Sequence, residues 1–236
     1  MNKLAAIGFA SFFLVANLCQ ALTTREVEET CPIDGEKFKA TLAMSGTQFG
    51  IYLDGKPYGA LLAPWPLAKC PTTGFVMYKS KFSEDELAKL REYVQSSEYR
   101  ALIGVETTYY LAATLQRRIG EDNRRIASTL LRATWQAETD SRYRRYAQET
   151  LEAYKQLLTQ AADERSLLSM EFIAGELERR LGLFDEAKRR FSALASRDEA
   201  KSGTFPQILE FQLTLIEAKD AQPHKVPSPD SPKSEK

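Results

Sequence analysis

A single histidine serves the whole 236-residue chain, and that residue, His224, lies in a Pro-, Ser- and Lys-rich tail. No histidine is thus available to a packed interior, which excludes Ser–His and Cys–His nucleophile pairs, histidine general bases and most histidine-ligated metal sites. Cysteine is almost as scarce, with three in all. A surplus of positive charge is also missing: 32 Lys and Arg stand against 32 Asp and Glu. Nucleic acid is therefore not an expected partner, because its backbone is neutralised by clustered cations. After Leu18 no second long apolar run follows, so no transmembrane span is expected in the mature chain. Apolar content is not lacking: 43% of the residues are hydrophobic, enough for a packed core.

The first 21 residues read as an address. Lys3 supplies a positive start, Leu4 to Leu18 is apolar apart from a few small or polar residues, and Cys19-Gln20-Ala21 offers small residues at a cleavage site. This is the pattern of a secretory signal peptide cleaved near Ala21, so the mature chain is expected outside the cytoplasm. A membrane anchor is disfavoured because the run falls short of the ~20 apolar residues that span a bilayer. A lipid attached through Cys19 stands as an alternative, with Ala16-Asn17-Leu18 a poor approach to such a site.

The two remaining cysteines share one local frame, Cys31-Pro32-Ile33-Asp34-Gly35 and Cys70-Pro71-Thr72-Thr73-Gly74. A Cys-Pro-x-x-Gly turn is the frame of a zinc knuckle, in which a second cysteine three residues on folds back onto the metal. Here Asp34 and Thr73 occupy those second positions, so no metal site is expected. Ligands of one tetrahedral ion lie close together, so loss of the metal leaves Cys31 and Cys70 placed for a disulfide in an oxidising compartment. Closing such a loop stabilises a fold by roughly 4 kcal/mol in the chain-entropy model. Two unrelated buried thiols are the alternative. Between the cysteines Phe49, Ile51 and Leu53 alternate with polar or small residues, and Asp54-Gly55 marks a hairpin turn before a returning strand over 56–62. Trp65, between two prolines, is expected to cover the small core beside the disulfide.

From Ser83 the chain turns helical. Ser83 and Glu86 form a capping box, followed by Leu87, Leu90 and Val94 at helical spacing. Tyr110–Gly120 then aligns without gaps to Phe172–Gly182, with five of eleven positions identical. Each copy ends in glycine, and each is followed by an amphipathic segment: Ile126, Leu130 and Trp135 after the first, Phe184, Ala187, Phe191 and Leu194 after the second. Between the copies a helix over 142–161 turns Tyr146, Thr150, Tyr154 and Leu157 inward, and a last helix over 205–218 presents Ile208, Phe211 and Leu215. From Gln222 the tail is expected to be disordered. The second copy resembles a tetratricopeptide repeat, with Gly175 at a close helix approach, Gly182 in the turn and Ala187 and Phe191 on the packing face.

In the order of its parts the chain resembles an uncharacterised bacterial domain-of-unknown-function family. The resemblance is carried by the paired Cys-Pro turns, by Ile126–Trp135 and by Ala174–Phe191, and covers about 27–197. It implies a mainly α fold: a tetratricopeptide-like helical-repeat bundle behind a small N-terminal β-rich, degenerate zinc-ribbon-like subdomain. The expected division is a signal peptide (1–21), the knuckle subdomain (22–82), the helical domain (83–221) and a disordered tail (222–236). The family brings no activity with it.

No constellation of titratable groups points to catalysis, and no cofactor is implied, so a non-enzymatic interaction module is expected. By resemblance to tetratricopeptide repeats, first-helix side chains line a concave groove: Thr107, Tyr110, Thr114, Arg117 and Arg118 in one copy, Ser169, Phe172, Glu176, Arg179 and Arg180 in the other. An aromatic beside arginines suits an acidic protein segment or a C-terminal carboxylate. The competing expectation is that the arginines are merely solvated, helix-ending charges. A different class of function, disulfide exchange or residual metal binding through Cys31, Asp34 and Cys70, stands as the alternative.

Overall fold

The computed structural model describes residues 22–227 except 138, 161 and 162; the expected signal peptide (1–21) and the end of the tail (228–236) lie outside the described residues. Strands β1 (Thr23–Thr30) and β2 (Lys37–Ser45) form one antiparallel hairpin, and β3 (Thr47–Ile51) and β4 (Pro57–Ala60) form a second. β1 carries no apolar alternation, and its side chains are largely exposed. It is held by the backbone ladder to β2, with Val27 opposite Ala40, and by surface pairs such as Lys39–Glu26 at 2.7 Å. Such exposed pairs contribute only about 0–1 kcal/mol. The second hairpin turns at Asp54-Gly55 as the dipeptide demands, with Ile51 opposite Pro57. Its apolar alternation does not build a core, however. Phe49 and Ile51 face outward and only Leu53 is buried. Trp65 is likewise 44% exposed, so it does not cover the disulfide; Phe75 and Tyr99 do that instead.

Among the described residues eight α-helices follow: α1 (Glu84–Gln95), α2 (Ser97–Ile103), α3 (Thr108–Ile119), α4 (Asn123–Trp135), α5 (Asp140–Leu158), α6 (Glu164–Arg180), α7 (Phe184–Ala195) and, after a 3₁₀ turn at Asp198–Lys201, α8 (Phe205–Glu217). The protein is thus mainly helical with a small antiparallel β region at its N-terminal side. The capping box forms as expected: the Glu86 amide donates to Ser83 Oγ at 3.2 Å, and the Ser83 amide donates to Glu86 Oε2 at 2.8 Å. From α3 onward each helix packs mainly on its neighbours in sequence. The apolar clusters overlap in the same way, running from α3–α5 through α4–α6 to α6–α8. Tyr146, Thr150, Tyr154 and Leu157 are all buried on α5.

The two aligned segments end alike. Gly120 (φ 72°) and Gly182 (φ 81°) both adopt the left-handed conformation that stops a helix. In each case the following residue's amide reaches back five residues, Glu121 to Gln116 O at 3.0 Å and Leu183 to Glu178 O at 2.9 Å. Gly175 is needed for a different reason. A Cβ there would stand 2.7 Å from the Phe191 ring, so the absent side chain lets α6 and α7 approach closely. Ala113 holds the aligned place in α3 and is fully buried, so α3 accommodates a methyl where α6 does not.

The tail corrects the expectation of disorder at its start. Residues 222–227 lie along the second hairpin: the Leu53 amide donates to His224 O at 2.8 Å and the Val226 amide to Ile51 O at 2.9 Å. This strap pairs with an otherwise open strand edge, an interaction that backbone groups make whatever the composition. Gly175→Ala should lower stability by about 1–3 kcal/mol through overpacking against Phe191, read as a reduced urea midpoint with an unchanged slope.

Candidate functional site

The two Cys-Pro turns fold identically in their hydrogen bonding. Cys31 and Cys70 each accept at their carbonyl from the glycine four residues on, Gly35 at 2.9 Å and Gly74 at 3.0 Å. Each cysteine amide donates to the carbonyl five residues on, Glu36 O and Phe75 O, both at 2.8 Å. The first turn closes the β1–β2 hairpin, and the second is flanked by a bridge between Lys69 and Val76. The cysteines are joined as a disulfide, Cα to Cα 5.6 Å, across 39 residues. Thr73, in a second-cysteine position, keeps its hydroxyl 3.7 Å from Cys31 Sγ, whereas the Asp34 carboxylate turns to the Glu36 amide at 3.1 Å. Among the described residues no group of three or more His, Cys, Asp or Glu side chains is arranged to hold a metal.

The disulfide is no isolated clasp. Cys31, Cys70, Phe75 and Val76 pack with Leu90, Val94, Tyr99, Leu111 and Leu115 in one core shared by the turns and α1–α3. Tyr99 donates its hydroxyl to Gly74 O at 2.9 Å, and Arg91 donates to Ile33 O at 3.3 Å. Both cysteines are 1% exposed or less.

The groove residues do not form one continuous wall. In α3, Tyr110 and Arg117 converge on Glu149 of α5: the hydroxyl donates to Oε1 at 2.7 Å and the guanidinium to Oε2 at 3.0 Å. The Tyr110 ring stacks on Tyr146 at 4.5 Å, and Arg145 lies over both rings. Thr114 turns its hydroxyl back to Leu111 O, and Thr107 serves as the α3 N-cap residue with its amide on Tyr146 OH. Arg118 points away toward α1, pairing with Glu92 at 3.3 Å over the Tyr93 ring.

The second copy is covered rather than open. Arg179 has no exposed surface and pairs with buried Glu176 at 2.7 Å. It also donates to Gln212 Oε1 of α8 and to the carbonyls of Asp220 and Gln222. Helix α8 and the strap sit on the α6 face that the repeat resemblance assigned to a groove, so Glu176 and Arg179 are interior residues. Phe172 packs against Phe191 and Phe205, and exposed Ser169 bonds to Ser166 O. Arg180 lies over the Tyr143 ring at 4.3 Å and donates Nε to Ala221 O at 3.0 Å. Burial pushes the Glu176 carboxyl up from its ordinary value, against the opposing pull of Arg179 and Gln212.

Arg180 and Tyr143 belong to a second cleft that the sequence did not announce. A cavity of about 390 Å³ opens between the β3–β4 turn, the ends of α4 and α6, the start of α5 and the strap. Asp54, read from sequence only as a turn residue, is 5% exposed here and accepts from the Lys56 amide at 2.9 Å. Lys56 donates its ammonium to Trp135 O at 2.9 Å. Burial pushes the Asp54 carboxyl up, with the Lys56 amide and Arg180 opposing it. The Trp135 indole nitrogen and the Tyr143 hydroxyl are buried without a hydrogen-bond partner among the described residues.

A mainly helical protein, with a disulfide-joined pair of β turns built into the first of its overlapping cores, is the class these features define. It belongs to the family described as "Uncharacterized protein conserved in bacteria (DUF2225)", which matches residues 67–212. The match takes in the Cys70 turn and the helices through α7 but begins after the Cys31 turn. No curated protein and no solved structure matches the chain.

Two outcomes follow from the buried charges. Arg179→Ala leaves Glu176 buried without its cation and should cost about 3–5 kcal/mol, whereas the joint change of both residues to leucine should cost much less; urea unfolding of the three proteins measures the difference. Asp54→Asn keeps the turn's acceptor and removes the charge. Because the folded-state carboxyl titrates above its unfolded value, the contribution of Asp54 to stability is intact at low pH and declines as pH rises through the folded value. The asparagine variant should therefore melt higher than the parent at pH 7, with the advantage vanishing on acidification, as thermal melts across pH would record.

Proposed function

We propose that this protein is an exported, non-enzymatic interaction module that takes an acidic segment of a protein partner in the cleft between α3, α4 and α5. Support for export comes from the Lys3 start, the apolar run to Leu18 and a disulfide, which persists in an oxidising compartment such as the periplasm. No helix among the described residues is long and apolar enough to cross a membrane. Support for tetratricopeptide-like stacking comes from the matched glycine stops and the tight Gly175–Phe191 contact. Helix pairs of that kind display one face to partners.

The observation that carries the proposal is the meeting of Tyr110 and Arg117 on one carboxylate, Glu149, at a cleft of about 360 Å³ with Ile126 in its lining. Glu149 acts there as an internal stand-in for an incoming acid. Displacing it is inexpensive, because an exposed pair of this kind contributes about 0–1 kcal/mol, and the Arg117 side chain is 42% exposed. An arginine freed in this way holds a carboxylate through two parallel hydrogen bonds. Exchange chemistry at Cys31 and Cys70 has weaker support, since a thiolate must reach a sulfur and both are sealed in a core.

Crosslinking in the intact cell envelope, followed by mass-spectrometric identification of captured proteins, tests the proposal. Arg117→Glu should lose the partners captured by the parent, and Glu149→Gln should retain or enrich them. Identical capture by the parent and Arg117→Glu would refute the α3–α5 cleft as the binding surface.

A further inference from the structure

Among the described residues the cleft beside the β3–β4 turn is short of acceptors. Trp135 and Tyr143 each bring a buried donor without a partner among those residues, and an unmade buried hydrogen bond destabilises a fold by about 1–3 kcal/mol. Indole N–H can only donate, and burial pushes the Tyr143 hydroxyl up, so it remains protonated and able to donate. Among the described lining residues Lys56 and Arg180 add two cations against the single carboxylate of Asp54. A cationic ligand would meet both of those charges. Tyr52 and Tyr58 line the same space as Trp135 and Tyr143, and small or aliphatic residues such as Pro57, Leu61 and Ala137 make up most of the remaining wall. Several aromatic walls, a few convergent polar groups and a titratable residue shifted by burial are the features of small-molecule sites, and about 390 Å³ is within their usual range.

We propose that this cleft binds a small organic carboxylate with an aromatic or otherwise apolar body, its oxygens accepting from the Lys56–Arg180 pair and, as the wall side chains give way, from the sealed donors of Tyr143 and Trp135. The ligand supplies the acceptors that the fold leaves out, and its body stacks on the tyrosine and tryptophan rings. The strap forms part of the site through Pro223, and Arg180 holds both the strap, through Ala221 O, and the cleft wall. The site is separate from the α3–α5 cleft and shares none of its lining residues. Failure of either proposal therefore leaves the other standing.

The chain has two tryptophans, so Trp65→Phe leaves Trp135 as the sole tryptophan, read without tyrosine by red-edge excitation. Titrating the exported protein carrying that change with phenylacetate should give a saturable change in Trp135 emission, confirmed by calorimetry. Phenethylamine, of similar size and opposite charge, should give none. Tyr143→Phe in the same background should weaken phenylacetate binding roughly tenfold to a hundredfold, the loss of one hydrogen bond to a charged group. The same variant should leave the melting temperature of the ligand-free protein unchanged or raised, because the hydroxyl it removes has no partner. Absence of saturable phenylacetate binding, equal binding of the amine, or undiminished binding by Tyr143→Phe would each overturn the proposal.

Discussion

One guanidinium organises the C-terminal half of this protein. Arg179 is sealed from solvent and binds Glu176 on its own helix, Gln212 on α8 and two carbonyls of the strap. A buried charge is tolerated only when its donors are satisfied, and removing one partner leaves the rest exposed to the full desolvation penalty. Helix α6, helix α8 and the strap are therefore held in one arrangement. The strap then pairs with Ile51 and Leu53 beside the second hairpin, which sets the β3–β4 turn against α4, α5 and α6. The acceptor-poor cleft exists because that closure is made.

At the other end the constraint is covalent. Two turns with the same hydrogen-bond frame, each ending in a left-handed glycine, bring their first cysteines together as a disulfide. Thr73 still sits beside Cys31 sulfur, where a ligand of a knuckle would lie, whereas Asp34 has turned to the backbone. Since the bond is packed among residues of α1–α3, the small β region and the first helices stabilise one another.

Much of the helical architecture was legible because apolar spacing reports directly on burial. The inward faces of α1, α5 and α7 and the capping box at Ser83 were read from periodicity and cap chemistry alone. On α8 the buried face falls on Leu209, Gln212, Leu215 and Ile216, not on Ile208 and Phe211, because Gln212 is drawn inward by Arg179 and Glu176. The paired arginines look equivalent in the two copies, yet one pair reaches the surface, whereas Arg179 lies under α8 and the strap and Arg180 lines the cleft. A signal was present: Glu176 stands where the first copy has Thr114, so only the second copy carries an acid one turn before its arginine. The cleft was hidden for another reason. Asp54, Trp135, Tyr143 and Arg180 come from the β3–β4 turn and three helices, and tertiary packing, with the Lys56–Trp135 contact and the strap, brings them together.

The strap also orders events in time. A polypeptide made from its N-terminus delivers α6 before residues 220–222, so the newly emerged guanidinium of Arg179 must stay hydrated until those residues arrive. Products stopped short of Asp220 would carry α1 to α8 and the disulfide, yet lack the carbonyls that let that cation enter the interior. Residues 220–222 thereby act as the last seal, and a copy without them would keep a water-filled end between α6 and α8.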